Sequence, residues 1–183
     1  YIKPQLSDQY AVGYFKNFKN RTYSLEVEAY YKTVDNRIDY IDGSELIGQN
    51  NIETEILNGE SRSYGLEVLF RKSLGDFTGW IAYTISKAEQ RTLGGNAGGP
   101  GINNGDWYNS SWDRPHDVSV VGSYQLTDKW SFGAAFVFQT GRPVTYPNGQ
   151  YVYEDLSIAN FSERNADRLP SYNRLDISAT YVP

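Results

Sequence analysis

Seven stretches of the chain alternate apolar and polar residues with a period of two, which is typical of β-strands that have two different faces. In the second stretch, for example, Leu25 and Val27 alternate with Glu26 and Glu28. The apolar set carries essentially no charge, whereas the polar set carries both signs. The predicted strands are residues 9–16, 22–33, 62–72, 77–88, 116–126, 130–140 and 172–182.

The length of these strands separates two all-β folds. The strands of a soluble β-sandwich also alternate apolar and polar residues, with the apolar side packed against a partner sheet and the polar side in water. Most of the predicted strands have about ten residues, which matches a tilted strand crossing the hydrocarbon layer of a membrane. Strands of soluble sheets usually have about five or six residues. The lengths favour a transmembrane β-barrel.

The connections alternate between short and long. Residues 17–21, 73–76 and 127–129 are tight polar turns, whereas residues 34–61, 89–115 and 141–171 are long. Outer-membrane barrels have short periplasmic turns and long extracellular loops. We therefore predict an all-β, antiparallel up-and-down barrel segment in the bacterial outer membrane, with lipid in contact with one face. The predicted lipid-facing residues include Leu25, Val27, Leu66, Val68, Ile81, Val120, Phe136 and Ile177.

Composition excludes several other classes. The 183 residues include no Cys, so disulfides and thiolate metal sites are excluded. The net charge of -5 and the lack of a basic run argue against nucleic acid as a partner. Mean hydropathy is -0.58, and no apolar stretch approaches the roughly 18 residues of a membrane helix. Aromatic residues make up 15% of the chain, as the two interfacial girdles of an outer-membrane barrel require.

The strand count predicts that the chain is a segment of a larger barrel. Seven is odd, whereas single-chain bacterial barrels have an even number of strands. Seven strands are also too few to close around a filled lumen, since about eight is the small end. The chain opens at Tyr1 without a signal peptide and stops at Pro183 directly behind a strand. We expect its first and last strands to pair with other strands rather than with each other.

Several blocks of sequence resemble TonB-dependent receptors, particularly those of the Bacteroidota. No block is specific alone, but together they follow the order and spacing of that family over nearly the whole chain. The blocks are SDQYAVGY at 7–14, SYGLEV at 63–68, INNGDW at 102–107, WDRPHDVSV at 112–120, WSF at 130–132, TGRPVT at 140–145 and YNRLDIS at 172–178.

This resemblance implies a 22-stranded barrel filled by an N-terminal plug, which imports scarce, bulky nutrients with energy relayed by the TonB complex. The chain would supply strands from the C-terminal part of that barrel, without the plug or the final strand. The implied partners are outer-membrane lipid, the plug and remaining strands of the parent, the TonB complex and, as a further candidate, a surface lipoprotein. Charged residues on the polar face would contact the plug or form a solvated pore wall. They are Glu26, Glu28, Glu67, Arg71, Arg174 and Asp176.

The long connections carry aromatic and acidic residues that are candidate ligand contacts. Aromatic rings could stack on a sugar or an aromatic ligand, or they could anchor the loops to the barrel rim. The candidates are Asp106, Trp107, Tyr108, Trp112, Asp113, Tyr146, Tyr151 and Tyr153.

No catalytic, cofactor or metal site is predicted. His116 is the only histidine, and it lies at the start of a strand on the face opposite Asp117. The glycine-rich segment 94–101 lacks the Lys and the following helix of a phosphate loop. Four residues just beyond the second strand have hard oxygen atoms but fit no known calcium loop. They are Asp35, Asn36, Asp39 and Asp42.

Three functions remain open at this stage. The first is uptake by a TonB-dependent receptor, with a siderophore, haem, a glycan or a peptide as the ligand. The second is a passive porin, which has a similar wall but no plug. The third is an outer-membrane enzyme, against which the single His and the lack of a Ser or Asp constellation count. We expect no catalysis by these residues and no cofactor.

Overall fold

The computed structural model describes residues 3–41, 55–94, 100–161 and 163–183. Seven long strands form one antiparallel sheet in the order β1-β2-β3-β4-β6-β7-β12, with the short β5 added beside β4. The predicted up-and-down barrel segment is confirmed. The strands are β1 (Leu6–Phe18), β2 (Tyr23–Tyr40), β3 (Ile56–Lys72), β4 (Phe77–Thr92), β5 (Tyr108–Asn109), β6 (His116–Gln125), β7 (Trp130–Gln139), β8 (Pro143–Val144), β9 (Pro147–Tyr153), β10 (Leu156–Phe161), β11 (Asp167–Arg168) and β12 (Tyr172–Tyr181).

The register gives the sheet one apolar face. Directly paired residues share a face, and Ile81 pairs with Val120, which in turn pairs with Phe136. The same alternation places every predicted lipid-facing residue on this side, here called the apolar face; the opposite side is the polar face. Ile81 and Ile177 are 49% and 76% exposed, so no second sheet covers them. A soluble sandwich is therefore excluded for the described part of the chain.

Aromatic side chains mark both ends of the apolar face. At the end with the short turns, here called the turn end, the rings of Trp130 and Tyr181 lie 4.9 Å apart. At the opposite end, here called the loop end, Tyr31 pairs with both Tyr10 and Tyr64. Such girdles border the apolar band of outer-membrane barrels.

Four strands continue beyond their predicted limits at the loop end, and the first of them, β1, begins at Leu6. β2 reaches Tyr40, β3 begins at Ile56 and β4 reaches Thr92, so the first two long connections are shorter than predicted. The extensions lack the period-two signal because apolar and polar residues share each face: Ile38 pairs with Asn58, and Asp39 pairs with Leu57. A bulge between Val34 and Arg37 also shifts the register of β2 against β3.

The third long connection contains regular structure that the pattern did not reveal. β8 pairs with β11 at the base of the connection, and β9 and β10 form a hairpin above it. The hairpin turns at Glu154 and Asp155, which have φ of 47° and 63°. Two consecutive positive φ angles match the primed turns that suit the twist of a hairpin.

The sheet order places β1 and β12 at opposite edges, where each pairs with a single neighbour among the described residues. None of the helical segments found in the described ranges is long and apolar enough to span a membrane.

Candidate ligand-binding loops

Most of the buried residues of the described chain lie beyond the loop end of the sheet rather than in its middle. They form a layer built from the three long connections and the strand extensions, here called the loop layer (residues 34–41, 55–61, 88–94, 100–115, 141–161 and 163–171). Because buried contacts hold it together, the long connections form a packed structure. The buried residues are Leu57, Glu89, Gln90, Thr92, Ile102, Tyr108, Ser110, Asp113, Gly141, Pro143 and Asn165.

Asp39, at the end of β2, is one junction of this layer. Arg164 of the third connection donates from Nη1 to Asp39 Oδ1 at 2.8 Å. Tyr108 Oη and Gln90 Nε2 both donate to Asp39 Oδ2, each at 3.2 Å. Arg37 Nη1 donates to the Gln90 side-chain oxygen Oε1 and so completes the cluster. A single carboxylate thereby joins elements from all three long connections.

Asp113 is the second junction, and its side chain has no exposed surface. Its Oδ1 accepts a hydrogen bond from the Ala88 backbone N–H at 2.6 Å, and its Oδ2 is paired with the guanidinium of Arg168. Arg168 also donates from Nη1 to the carbonyl oxygens of Asp113 and Gly141, each at 3.2 Å. These contacts fix the third connection against the second.

Asparagine side chains complete the attachment. The backbone N–H of Arg164 donates to Asn103 Oδ1 at 2.8 Å, and Asn103 Nδ2 donates back to the Arg164 carbonyl at 3.0 Å. Asn165 Nδ2 donates to the Asn109 carbonyl at 2.8 Å, while its backbone N–H donates to Thr145 Oγ1 at 2.9 Å. Residues 163–165 are therefore the point at which the third connection docks.

Tyr108 remains a neutral hydrogen-bond donor within this layer. Burial raises the pKa of the Tyr108 phenol above its ordinary value of 10.0, the hydrogen bond with Thr92 lowers this pKa, and the carboxylate of Asp39 raises it. The phenol therefore keeps the proton with which it donates a hydrogen bond to Asp39.

Two tryptophans that the sequence singled out lie on different sides of the layer. The ring of Trp107 lies against Arg62 and Arg91, with ring centroid to Cζ distances of 4.1 and 5.0 Å. Trp112 is 57% exposed, and its ring centroid lies 5.0 Å from the Arg37 Cζ.

Each tryptophan borders a separate hollow. Trp107 lines a polar cleft of about 430 Å³ together with Asp106 and Tyr108. Trp112 lines a hollow of about 300 Å³ together with Arg114 and Asp117 on the polar face. Gln139 holds both charged residues: its Nε2 donates to Asp117 Oδ2 at 2.7 Å, and its Oε1 accepts from Arg114. The predicted candidates in the second connection therefore divide between two hollows.

The remaining loop candidates lie in the third connection. Tyr146, Tyr151 and Tyr153 are 49%, 53% and 60% exposed. Tyr151 pairs with Ile158, and Tyr153 pairs with Leu156, so one face of the β9–β10 hairpin is apolar. Asp113 differs from the other candidates because its carboxylate is buried and paired with Arg168.

All six charged residues assigned to the polar face lie on that face in the observed register. Glu28 pairs directly with Glu67, and Arg71 pairs with Ser24. Glu26, Glu28 and Glu67 line a hollow of about 260 Å³ with Phe15. On the edge strand, Arg174 Nε donates to Asp176 Oδ1 at 3.0 Å.

His116, the one histidine considered for acid–base or metal chemistry, has a structural partner. His116 Nδ1 lies 2.9 Å from Tyr83 Oη on the apolar face, opposite to the side of Asp117. Among the described residues, no group of three or more His, Cys, Asp or Glu residues could hold a metal ion. Asp42 and residues 95–99 of the glycine-rich segment lie outside the described residues.

The comparisons with known proteins agree with the fold. The family model described as "TonB dependent receptor-like, beta-barrel" matches residues 1–183. The chain therefore belongs to the β-barrel family of TonB-dependent receptors. No curated protein matches the chain.

Membership of this family gives the chain its general setting. It is part of an outer-membrane receptor or transporter of bacteria. Barrels of this family work together with a plug domain and with TonB. The family is one of receptors and transporters, not of enzymes.

Proposed function

We propose that this chain forms wall strands and ligand-contacting loops of a receptor that takes up a bulky nutrient: a siderophore, haem, a glycan or a peptide. In this proposal the loop end faces the cell exterior, and the turn end faces the periplasm. The observation that carries it is the loop layer, in which Asp39 and Asp113 join the three long connections into one packed unit. A rigid barrel that presents such a unit is a common basis for binding.

Exposed aromatic residues are the proposed ligand contacts. Trp112 is the foremost of them because it is more than half exposed and borders the hollow formed with Arg114 and Asp117. Asp106 and Trp107 form a second candidate contact around their cleft, where the buried Tyr108 positions the segment through its hydrogen bond to Asp39, and Tyr146, Tyr151 and Tyr153 form a third around the hairpin. Asp113 is a positioning residue, since its buried pairing with Arg168 holds the segment that carries Trp112.

The polar face is the proposed contact for the plug. Like charges at directly paired positions are unfavourable, and the opposed carboxylates of Glu28 and Glu67 would be stabilised by a cationic group from the plug. Glu26, Arg71, Arg174 and Asp176 extend this charged wall. A porin would present the same residues to water. Contact between a plug and these residues would therefore distinguish a receptor from a porin.

The β9–β10 hairpin supports a surface lipoprotein as a further proposed partner. Its apolar face, which includes Tyr151, Tyr153 and Leu156, is exposed in the described structure. A lipoprotein that covers the extracellular loops would bury these side chains.

Uptake by the intact parent protein tests the function. In one variant a short Gly-Ser linker replaces residues 147–161, which leaves Thr145 and Arg164 in place. In a second variant Trp112 is replaced by Ala, and Tyr124→Ala at the turn end is the matched control. We expect weaker nutrient binding in the first two variants and unchanged binding in the control. Uptake that persists without the proton-motive force would favour the porin, and unchanged affinity in both variants would place the site elsewhere in the parent.

A labelling experiment tests the orientation. The chain has no Cys, so single cysteines at Ser157 in the hairpin and at Asp128 in a turn provide unique positions within it. A membrane-impermeant maleimide should label the Ser157 position in intact cells, and the Asp128 position only after the outer membrane is permeabilised. The reverse pattern would invert the proposed orientation.

A further inference from the structure

Three lysines border the apolar face at the turn end of β1, β2 and β3. In the observed register Phe18 pairs with Tyr23, and Tyr23 pairs with Lys72. Lys16 lies two residues before this row on β1, and Lys19 follows the row in the turn between β1 and β2. The three lysines, here called the lysine cluster, therefore surround a single row of paired residues at the edge of the apolar band.

Each ammonium group of the lysine cluster lies near an aromatic ring at the turn end. The distances from Nζ to the ring centroid are 5.1 Å for Lys16 and Phe18, 6.0 Å for Lys19 and Tyr23, and 5.6 Å for Lys72 and Phe77. Contacts of this kind attract a cation because the face of a ring carries a partial negative charge. They hold the ammonium groups at the border of the apolar band without supplying an anion.

No carboxylate on this face neutralises the lysine cluster. Lys16 and Lys72 have uncharged residues at their paired positions and two residues away along their strands. Among the described residues, none of the three lysines takes part in an ion pair. The same face differs at the loop end, where Lys87 and Arg62 are both paired with Glu89. The lysine cluster is thus open to an anion from outside the described chain.

An apolar surface adjoins the lysine cluster on the side toward the loop end. Leu25 pairs with both Lys16 and Phe70, and Phe70 pairs with Ile81. Phe70 and Ile81 are 41% and 49% exposed, and in a barrel this face contacts lipid. Apolar side chains followed by cations match the acyl chains and the phosphate of a phospholipid in their order along the wall.

We propose that the lysine cluster binds the phosphate of an anionic phospholipid in the leaflet around the turn end, with acyl chains against Leu25 and Phe70. The assignment of this leaflet to the periplasmic side rests on the orientation in the proposed function. Each ammonium group has three N–H donors, and basic residues near a membrane surface attract anionic lipids. Free phosphate would satisfy the same charges but would leave the adjoining apolar surface unused.

Binding of phosphatidylglycerol and of phosphatidylcholine to the detergent-purified parent protein, measured by native mass spectrometry, tests this proposal. The two lipids are chosen with the same acyl chains, and only phosphatidylglycerol has a net negative charge. A test variant removes the lysine cluster, and a matched control removes the same number of charges away from the turn end. The substitutions are Lys16→Gln, Lys19→Gln and Lys72→Gln in the test variant, and Lys3→Gln, Lys32→Gln and Lys87→Gln in the control.

We expect the unaltered parent and the control to bind phosphatidylglycerol more tightly than phosphatidylcholine. One basic residue near the membrane surface contributes about fivefold to the affinity for an anionic lipid, so the test variant should bind phosphatidylglycerol about a hundredfold more weakly. Its affinity for phosphatidylcholine should be unchanged, which also shows that the barrel is folded. A variant with Arg at the same three positions should retain the preference, because the positive charges remain.

Equal affinity of the test variant and the control for phosphatidylglycerol would overturn the proposal. Displacement of phosphatidylglycerol by inorganic phosphate at the same concentration as by the lipid itself would also overturn it, because the acyl chains would then have no role. The cysteine labelling at Ser157 and Asp128 separates this inference from the proposed function. An inverted labelling pattern with the lipid preference retained would contradict the proposed orientation alone. The expected labelling pattern without a lipid preference would contradict this inference alone.

Discussion

The guanidinium of Arg168 is paired with the fully buried carboxylate of Asp113, 55 residues earlier in the chain. The pair joins the second long connection to the base of the third. Because the Ala88 backbone N–H donates to the same carboxylate, one ion pair secures both connections to the end of β4.

Removal of the cation from this pair should loosen the loop layer. In Arg168→Met the buried carboxylate of Asp113 loses its partner, and breaking a buried pair in this way typically costs about 3–5 kcal/mol. We expect amide hydrogen exchange in the parent protein to accelerate at Ala88 and throughout residues 163–171. Arg174→Met, which breaks an exposed pair with Asp176, is the control and should change exchange little. Equal exchange in the two variants would show that the Asp113 pair does not hold the layer.

A methyl group at Gly141 should disturb the base of the third connection. A Cβ at this position would overlap the carbonyl oxygen of Leu169, so the backbone must move. Overpacking of this kind typically costs about 1–3 kcal/mol. Limited proteolysis should therefore cut Gly141→Ala faster than the parent within the third connection. The matched control is Gly149→Ala, because a Cβ at Gly149 meets nothing within 4 Å; faster cutting of the control alone would contradict this account.

The charge of Asp39 should contribute more than the shape of its side chain to the stability of the loop layer. Asp39→Asn keeps the size of the side chain but weakens the contacts with Arg164, Tyr108 and Gln90. A hydrogen bond to a charged group contributes about 1.5–3 kcal/mol, so we expect faster exchange at residues 163–165. Asp155→Asn, at the exposed tip of the hairpin, is the control. If exchange rates at residues 163–165 match in the two variants, Asp39 is not the junction we describe.

The loop layer should lose stability at alkaline pH through Tyr108. Its pKa is raised in the folded protein, so the stabilisation from its neutral form is complete below the ordinary value of 10.0 and is lost as the pH rises through the folded pKa. Exchange at residues 106–110, corrected for its intrinsic pH dependence, should therefore stay constant up to about pH 10 and increase above it. Tyr108→Phe should lack most of this increase. An equal increase in the phenylalanine variant would assign the effect to another group.

The sheet could be predicted from the sequence because its two faces have different surroundings. Apolar and polar residues therefore alternate along each strand. Ile81 and Val120 lie on the apolar face while Ala82 and Ser119 lie on the polar face, and this contrast persists along every long strand. Beyond the apolar band the contrast disappears, and for that reason the extension of β2 to Tyr40 was missed.

The loop layer could not be predicted from local patterns. Asp39 and Arg164 are 125 residues apart in the chain, and no period or motif links them. Arg164, Asn165 and Arg168 looked like ordinary polar loop residues, and their roles depend on where the third connection docks. The aromatic residues were easier to single out from the sequence. Their division between two hollows was not predictable, because Trp107 and Trp112 lie on different sides of β4.

The central claim is that the apolar face of this sheet contacts membrane lipid, and β4 offers the most direct test. Single cysteines at residues 81, 82, 83, 84 and 85 of the parent protein, each labelled with a fluorophore, can be quenched by brominated lipid in a reconstituted membrane. The account predicts strong quenching at Ile81, Tyr83 and Ile85 and weak quenching at Ala82 and Thr84, because side chains alternate along a strand. Uniform quenching along the strand, or the opposite alternation, would contradict it.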